Sequence, residues 1–337
     1  MSFAPIIFGC SGTMLSKEEE SFFSSVNPYG FILFSRNISE PQQLRNLTTQ
    51  LREVVNHECP PILVDQEGGR VARLRPPHWE SILSAQALVS KFVSQPEIAT
   101  EIVRLNSRLI AHDLISSGIS VACMPVLDLL MAGGHEVIGD RAYSSDPYKV
   151  SQYGRAACEG LLECGVLPII KHIPGHGRST LDSHVALPKI DAKIETLAKA
   201  DFLPFWELRD MPMAMTAHII YSDVDPILPA TLSADVIGGV IRNTIAFEGL
   251  LITDDISMGA LSGNLGDRAC TALEAGCDVV LHCNGEISEM KAVASAIPSM
   301  AEQSYDRALR CESIFLDGRS HPDNSADRRE LAKMLQS

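Results

Sequence analysis

Three histidines, a lysine, an arginine and an aspartate fall between Lys171 and His184. The segment follows Val166-Leu167-Pro168-Ile169-Ile170, an apolar run that reads as a buried strand. Charges at the exit of a buried strand cost desolvation free energy, so such clusters concentrate where chemistry is done. The far end, Asp182-Ser183-His184, puts a carboxylate two residues from an imidazole. That pairing can orient the ring and tune its proton affinity, which suits proton transfer. His184 is therefore the candidate general acid/base and Asp182 its partner. A second pair of carboxylates, Asp254-Asp255, closes the apolar run Leu250-Leu251-Ile252-Thr253. Alternation along a strand sends one of the two inward and the other away. Asp254 is the candidate nucleophile, and Asp255 is expected to cap the next helix near Ser257.

Eight short apolar runs have to position these groups: Pro5 to Phe8, Gly30 to Phe34, Pro61 to Val64, Ile119 to Cys123, Leu167 to Ile170, Met213 to Thr216, Leu250 to Thr253 and Asp278 to Leu281. Runs this short and this apolar suit strands buried on both faces, as in a parallel sheet. Helical patterns separate them, over Pro41 to Val55, Glu97 to Ser117, Pro147 to Cys164, Ala192 to Leu208, Met258 to Ala275 and Ile287 to Ala296. Eight βα units predict an α/β fold of the (β/α)8 TIM-barrel type, and no GxGxxG follows any strand to favour a Rossmann-like sheet. No Pro/Gly/Ser-rich linker divides the chain, so residues 1–337 are expected to form one catalytic domain. The tail from about 318 to 337 is polar and is expected to end in a surface helix.

Active sites of such barrels lie at the C-terminal strand ends. Asp65, Asp128, Lys171-His172, His218, Asp254-Asp255 and His282-Cys283-Asn284 follow the third to eighth runs. Six polar exits on one rim predict a site for a polar substrate. The glycines around His176 are expected to let the Asp182–His184 end of the loop swing, with His176 shaping the loop.

The chain has 337 residues, is 45% hydrophobic and carries a formal net charge of -14. An acidic chain with no basic stripe is a poor partner for nucleic acid or anionic membrane. No apolar run reaches the roughly 20 residues that span a bilayer. Nine cysteines without CxxC spacing fit free thiols in a reducing compartment. The first ten residues lack a signal-peptide pattern, and a cytoplasmic location is expected.

The motifs Lys171 to Gly177, Asp182-Ser183-His184 and Thr253 to Met258 resemble the signatures of family 3 glycoside hydrolases, in particular the bacterial cytoplasmic β-N-acetylglucosaminidases of cell-wall recycling. Val64 to Arg73, Ile138 to Arg141, Thr216 to His218 and Ala275 to Asp278 extend the resemblance over roughly residues 5 to 290. It implies a barrel and a retaining two-step reaction with Asp254 as nucleophile and the Asp182–His184 pair as acid/base. Asp65, Arg73, Arg141, Lys171 and His172 match the family's sugar-binding positions. The implied substrate is a small muropeptide with a terminal β-linked N-acetylglucosamine on (anhydro-)N-acetylmuramic acid. No metal or organic cofactor is implied, and a monomer is expected.

Ile173, Thr253 and Arg178 depart from the usual pattern of that family. Arg178 adds a cation to the loop, either to meet a muropeptide carboxylate or as a solvated arginine. Three rivals remain at this level. His172, His176, Asp182, His184 and His218 could be drawn as zinc ligands. A histidine acid/base does not repel phosphate, so the enzyme could be a phosphorylase. A non-catalytic sugar-binding protein could also use the scaffold.

Overall fold

The computed structural model describes residues 3–181, 183, 186–317 and 324–336. All eight expected strands form, and they close into a parallel barrel in chain order. They are Ala4–Gly9, Pro28–Leu33, Ile62–Val64, Val121–Ala122, Leu167–Ile173, Met213–Thr216, Leu250–Asp255 and Val279–His282. Ile6 pairs with Val280 and Ile7 with Leu281, which joins the first strand to the last.

Alternation divides each strand between two cores. Ile7, Ile32, Leu63, Val121, Leu167, Ile169, Met213, Met215, Leu250, Ile252, Val279 and Leu281 fill the barrel interior. Their neighbours, such as Ile6, Ile170 and Leu251, face the surrounding helices. Both faces are dry, which is why the strands read as continuous apolar runs. The inward series Leu167, Ile169 reaches Lys171 next, and Leu250, Ile252 reaches Asp254 next. The same two-residue period that fills the barrel therefore aims a lysine and a carboxylate into its mouth.

The long helices Pro41–Glu53, Pro96–Ser116, Pro147–Leu162 and Ile287–Ala296 lie close to their expected spans. Each of the first three carries proline in its first turn, where the missing N–H costs nothing. Two expectations fail. The span 192–208 is two short helices, Ile194–Ala198 and Leu203–Glu207. A turn at Lys199–Phe202 separates them, and Pro204, which has no N–H to continue a preceding helix, sits in the first turn of the second. The span 258–275 holds a helix only from Leu265, where Asn264 accepts the Asp267 N–H as N-cap. Further helices are Lys17–Val26, Ala85–Ser90, Asp235–Thr244 and Glu302–Asp317.

In the tail, Ser325–Gln336 is the expected surface helix, packed on Pro96–Ser116. Arg108 Nε donates to Asp327 at 2.8 Å, and Leu331 is buried. All nine cysteines are free and eight are buried. Among the described residues, no helix is long and apolar enough to cross a membrane.

Candidate active site

Asp65 leaves the third strand, and an antiparallel hairpin, Gln66–Gly68 with Val71–Ala72, follows at once. Gly68 makes that hairpin possible. Its φ is +101°, and a Cβ there would meet the Leu83 carbonyl oxygen at 2.1 Å. The hairpin folds Glu67 and Arg73 back over the barrel mouth, where they meet Lys171 from the fifth strand. Lys171 Nζ lies 3.0 Å from Asp65 Oδ1 and 2.7 Å from Glu67 Oε1. Arg73 Nη2 donates to Asp65 Oδ2 at 2.9 Å. Arg141 makes a fork–fork pair with Glu67, both bonds at 2.8 Å. The result is an alternating row, Arg73–Asp65–Lys171–Glu67–Arg141, with Lys171 only 2% exposed.

Such a row is stable only when every charge has partners. Burial pushes the Asp65 carboxyl up, but Lys171 and Arg73 outweigh it and hold it well below the usual range. Burial likewise opposes ionisation of Glu67, and Arg141 and Lys171 bring it down to about 2. Lys171 stays charged because the two carboxylates overcome its desolvation. The five charges are thus all present at neutral pH. One donor is left over: Arg73 Nε is buried without a partner among the described residues.

Beside the row, Asp128 organises the next group. Its carboxylate accepts from His172 Nδ1 at 2.7 Å and from the His176 backbone N–H at 2.6 Å. This fixes the His172 ring and leaves Nε2 as the nitrogen available to the pocket. His176 packs edge-on against His172, with ring centroids 5.6 Å apart. Its Nε2 lies 3.2 Å from Ser183 Oγ, and its Nδ1 has no partner among the described residues. Burial pushes His176 down to about 4, so the ring is neutral.

Asp254 and Asp255 differ as alternation requires. Asp255 accepts the Ser257 N–H at 3.0 Å, the Ser257 hydroxyl at 2.7 Å and the Cys283 N–H at 3.3 Å. It therefore serves a turn rather than the expected helix cap, since the helix starts at Leu265. Asp254 Oδ1 accepts the Asp255 N–H at 2.8 Å, and its other oxygen has no protein partner among the described residues. Burial raises its carboxyl, but His172, His218, the Asp255 N–H and Lys171 outweigh burial and keep it below the ordinary range. Burial pushes the His218 imidazole down in turn. Its Nε2 donates to the Asp255 carbonyl at 3.0 Å and its Nδ1 lies 2.7 Å from the Thr231 hydroxyl. His218 thus braces the strand end that carries Asp254.

Asp65, Arg73, Arg141, Lys171, His172 and Asp254 all line one cavity of about 280 Å³. That is near the lower end for ligand pockets, roughly 300 Å³. His176, Ser183 and Met258 complete part of the wall. Asp182 and His184 lie outside the described residues. Sequence reasoning left Glu67 unassigned, although Asp65 and Glu67 are two apart and share a face of an extended segment. The clamp role of Asp128 was not foreseen either, since both histidines it holds lie more than 40 residues along the chain.

One expectation about the loop needs correction. Arg178 does not line the pocket and is not a free cation: its partly buried side chain donates from Nε to buried Asp201 Oδ2 at 2.7 Å. A Cβ at Gly177 would meet the Leu129 carbonyl oxygen at 2.2 Å, and one at Gly175 would meet Asp201 at 3.1 Å. Gly177 is glycine because the Leu129 backbone packs on it, and Gly175 because its φ is +139°. As for the zinc reading, among the described residues no three His, Cys, Asp or Glu groups are placed to hold a metal ion.

Residues 11–310 match the model of the glycosyl hydrolase family 3 N terminal domain. The chain is 38% identical over 330 residues to a β-hexosaminidase from Alkalilimnicola ehrlichii, covering 96% of this chain and 91% of that protein. The fold superposes on NagZ from Neisseria gonorrhoeae in complex with N-trifluoroacetyl-D-glucosamine with a TM-score of 0.88 at 28% identity, over 99% of this chain and 98% of that one. It also superposes on a family 3 β-N-acetylglucosaminidase from Paenibacillus sp. with a TM-score of 0.84 at 30% identity. There it spans 94% of this chain and 61% of that longer one.

Proposed function

The chain belongs to glycosyl hydrolase family 3, and on that premise we propose that it removes terminal β-linked N-acetylglucosamine from peptidoglycan fragments by a retaining reaction. At the level of enzyme class it is a β-N-acetylhexosaminidase. The finer reading rests on one observation: Asp254 is an ionised carboxylate at the barrel mouth with one oxygen uncommitted to protein among the described residues. A nucleophile needs that combination, and Asp255 lacks it.

In the first step an Asp254 oxygen bonds to the anomeric carbon. The glycosidic bond breaks, and His184, oriented by Asp182, gives its proton to the departing oxygen. In the second step the now neutral His184 takes a proton from water. The water oxygen bonds to the anomeric carbon and the Asp254 carboxylate leaves. The sugar is held by groups whose protein partners are already fixed. Lys171 has one ammonium proton beyond its two carboxylate contacts, Arg73 lines the cavity with its Nη2 fixed on Asp65, and His172 offers Nε2. Asp65 and Arg141 complete the set. A cavity of about 280 Å³ suits one sugar ring at a chain end rather than an internal unit. All the described groups come from one barrel, so a monomer is competent.

A 5-fluoro N-acetylglucosaminyl fluoride should trap the glycosyl-enzyme, and peptide mapping should place the label on Asp254. Label on Asp65, Glu67 or Asp255 would overturn the assignment. The same preparation, turned over in phosphate buffer, should release N-acetylglucosamine. Release of the 1-phosphate would instead make phosphate the acceptor.

A further inference from the structure

Asp201 is 1% exposed, and its only described cation is Arg178, with Nε 2.7 Å from Oδ2. The other oxygen, Oδ1, is buried without a partner among the described residues. Burial raises this carboxyl even with Arg178 beside it, so the pair depends on the guanidinium. The turn that carries Asp201 lies directly under the loop, since Asp201 atoms occupy the space a side chain at Gly175 would need. Tyr221 Oη donates to the Gly175 carbonyl at 2.7 Å, and the His135 N–H donates to the Ser179 carbonyl at 2.7 Å. The arm from Gly175 to Ser179 is therefore tied down at Gly175, His176, Arg178 and Ser179. Arg178 supplies its only ion pair among the described residues, and it does not line the pocket.

We propose that Arg178 is a positioning residue for the proton-transfer step, its ion pair with Asp201 fixing the arm of the loop that leads to Asp182 and His184. The inference rests on the reading of those two residues as the acid/base pair. A buried carboxylate stays ionised only with its partner in place, so the pair holds one geometry rather than several. Proton transfer is sensitive to such placement: a misplacement of about 1 Å can cost on the order of 100-fold in rate.

The test compares kcat/KM for two substrates. An N-acetylglucosaminyl disaccharide needs its leaving oxygen protonated. The 2,4-dinitrophenyl N-acetylglucosaminide does not. Arg178→Ala strands a buried carboxylate, so the double variant Arg178→Ala/Asp201→Asn, which is neutral, carries the experiment. Its kcat/KM should fall roughly 10- to 100-fold on the disaccharide and less than about threefold on the dinitrophenyl glycoside. Arg178→Lys should recover most of the loss. Equal losses on both substrates, tracking a lower melting temperature, would overturn the proposal and leave the pair a purely structural tie. His184→Ala separates the two levels of inference. If it shows no leaving-group dependence, the acid/base reading fails. If it shows that dependence and the Arg178 variants do not, only the role of Arg178 fails.

Discussion

The fifth and seventh barrel strands flank the sixth and deliver ionisable groups to the same cavity, but they treat those groups in opposite ways. At the fifth exit, Lys171 is saturated by Asp65 and Glu67, and each carboxylate has an arginine as well. At the seventh, Asp254 keeps an oxygen with no protein partner among the described residues. A saturated charge is inert and rigid, which suits a group that must hold a substrate in one orientation. An unsaturated one retains its reactivity at some cost in stability, the usual compromise at a catalytic position. The two exits therefore predict opposite outcomes when each is disarmed.

The larger effect is expected at the seventh strand. Asp254→Asn keeps the shape and removes the nucleophile, so kcat/KM should fall by roughly 10⁴-fold or more. Urea unfolding should show stability unchanged or slightly raised, because the replaced charge had few protein partners to lose. A variant that keeps more than about a tenth of its activity, or that unfolds readily, would erase the contrast between the exits.

Lys171→Met makes the converse test. It leaves Asp65 and Glu67 facing each other across the removed ammonium, each with a single arginine. Breaking a buried pair in this way costs about 3–5 kcal/mol, which should be read as a lower urea midpoint at unchanged slope. Activity should fall too, but here the stability loss is the diagnostic. A change under about 1 kcal/mol would mean that the row is solvated enough to behave like a surface network.

What could be read from the sequence follows the same division. The eight strands were legible because burial on both faces leaves an uninterrupted apolar signature. Asp254 was legible because alternation propagates from Leu250 and Ile252 to the next inward position. The partners were not. Glu67 meets Arg141 across 74 residues and Asp128 meets His172 across 44, and no local pattern encodes such distances. Arg178 was misread for the same reason, compounded by the break between two short helices that puts Asp201 on a turn. The roles of Asp182 and His184 came from a resemblance and not from periodicity, since a carboxylate–X–imidazole triplet on a loop has no repeating context to support it.

The two exits can also be separated by acid, because the groups between them titrate in different windows. Burial pushes His176 down to about 4 from an ordinary 6.5, and pushes His218 in the same direction. For a histidine lowered by folding, the unfolded chain takes up the proton first. Stability is then full above about pH 6.5 and declines as the pH falls towards 4. Glu67 is a carboxylate lowered by folding, to about 2 from an ordinary 4.5. Its contribution is full above about pH 4.5 and is lost as the pH falls towards 2. The saturated row should therefore outlast the imidazoles, and the urea-stability profile should show two acid limbs rather than one. His176→Asn removes one of the histidines behind the upper limb, on the order of 3 kcal/mol between pH 6.5 and 4. The variant loses packing as well, so its curve starts lower, and the readout is the slope rather than the level. A slope between pH 6.5 and 4 identical to that of the parent protein would show that His176 is not buried neutral over the barrel mouth. Asp128 would then be holding an imidazolium at that position.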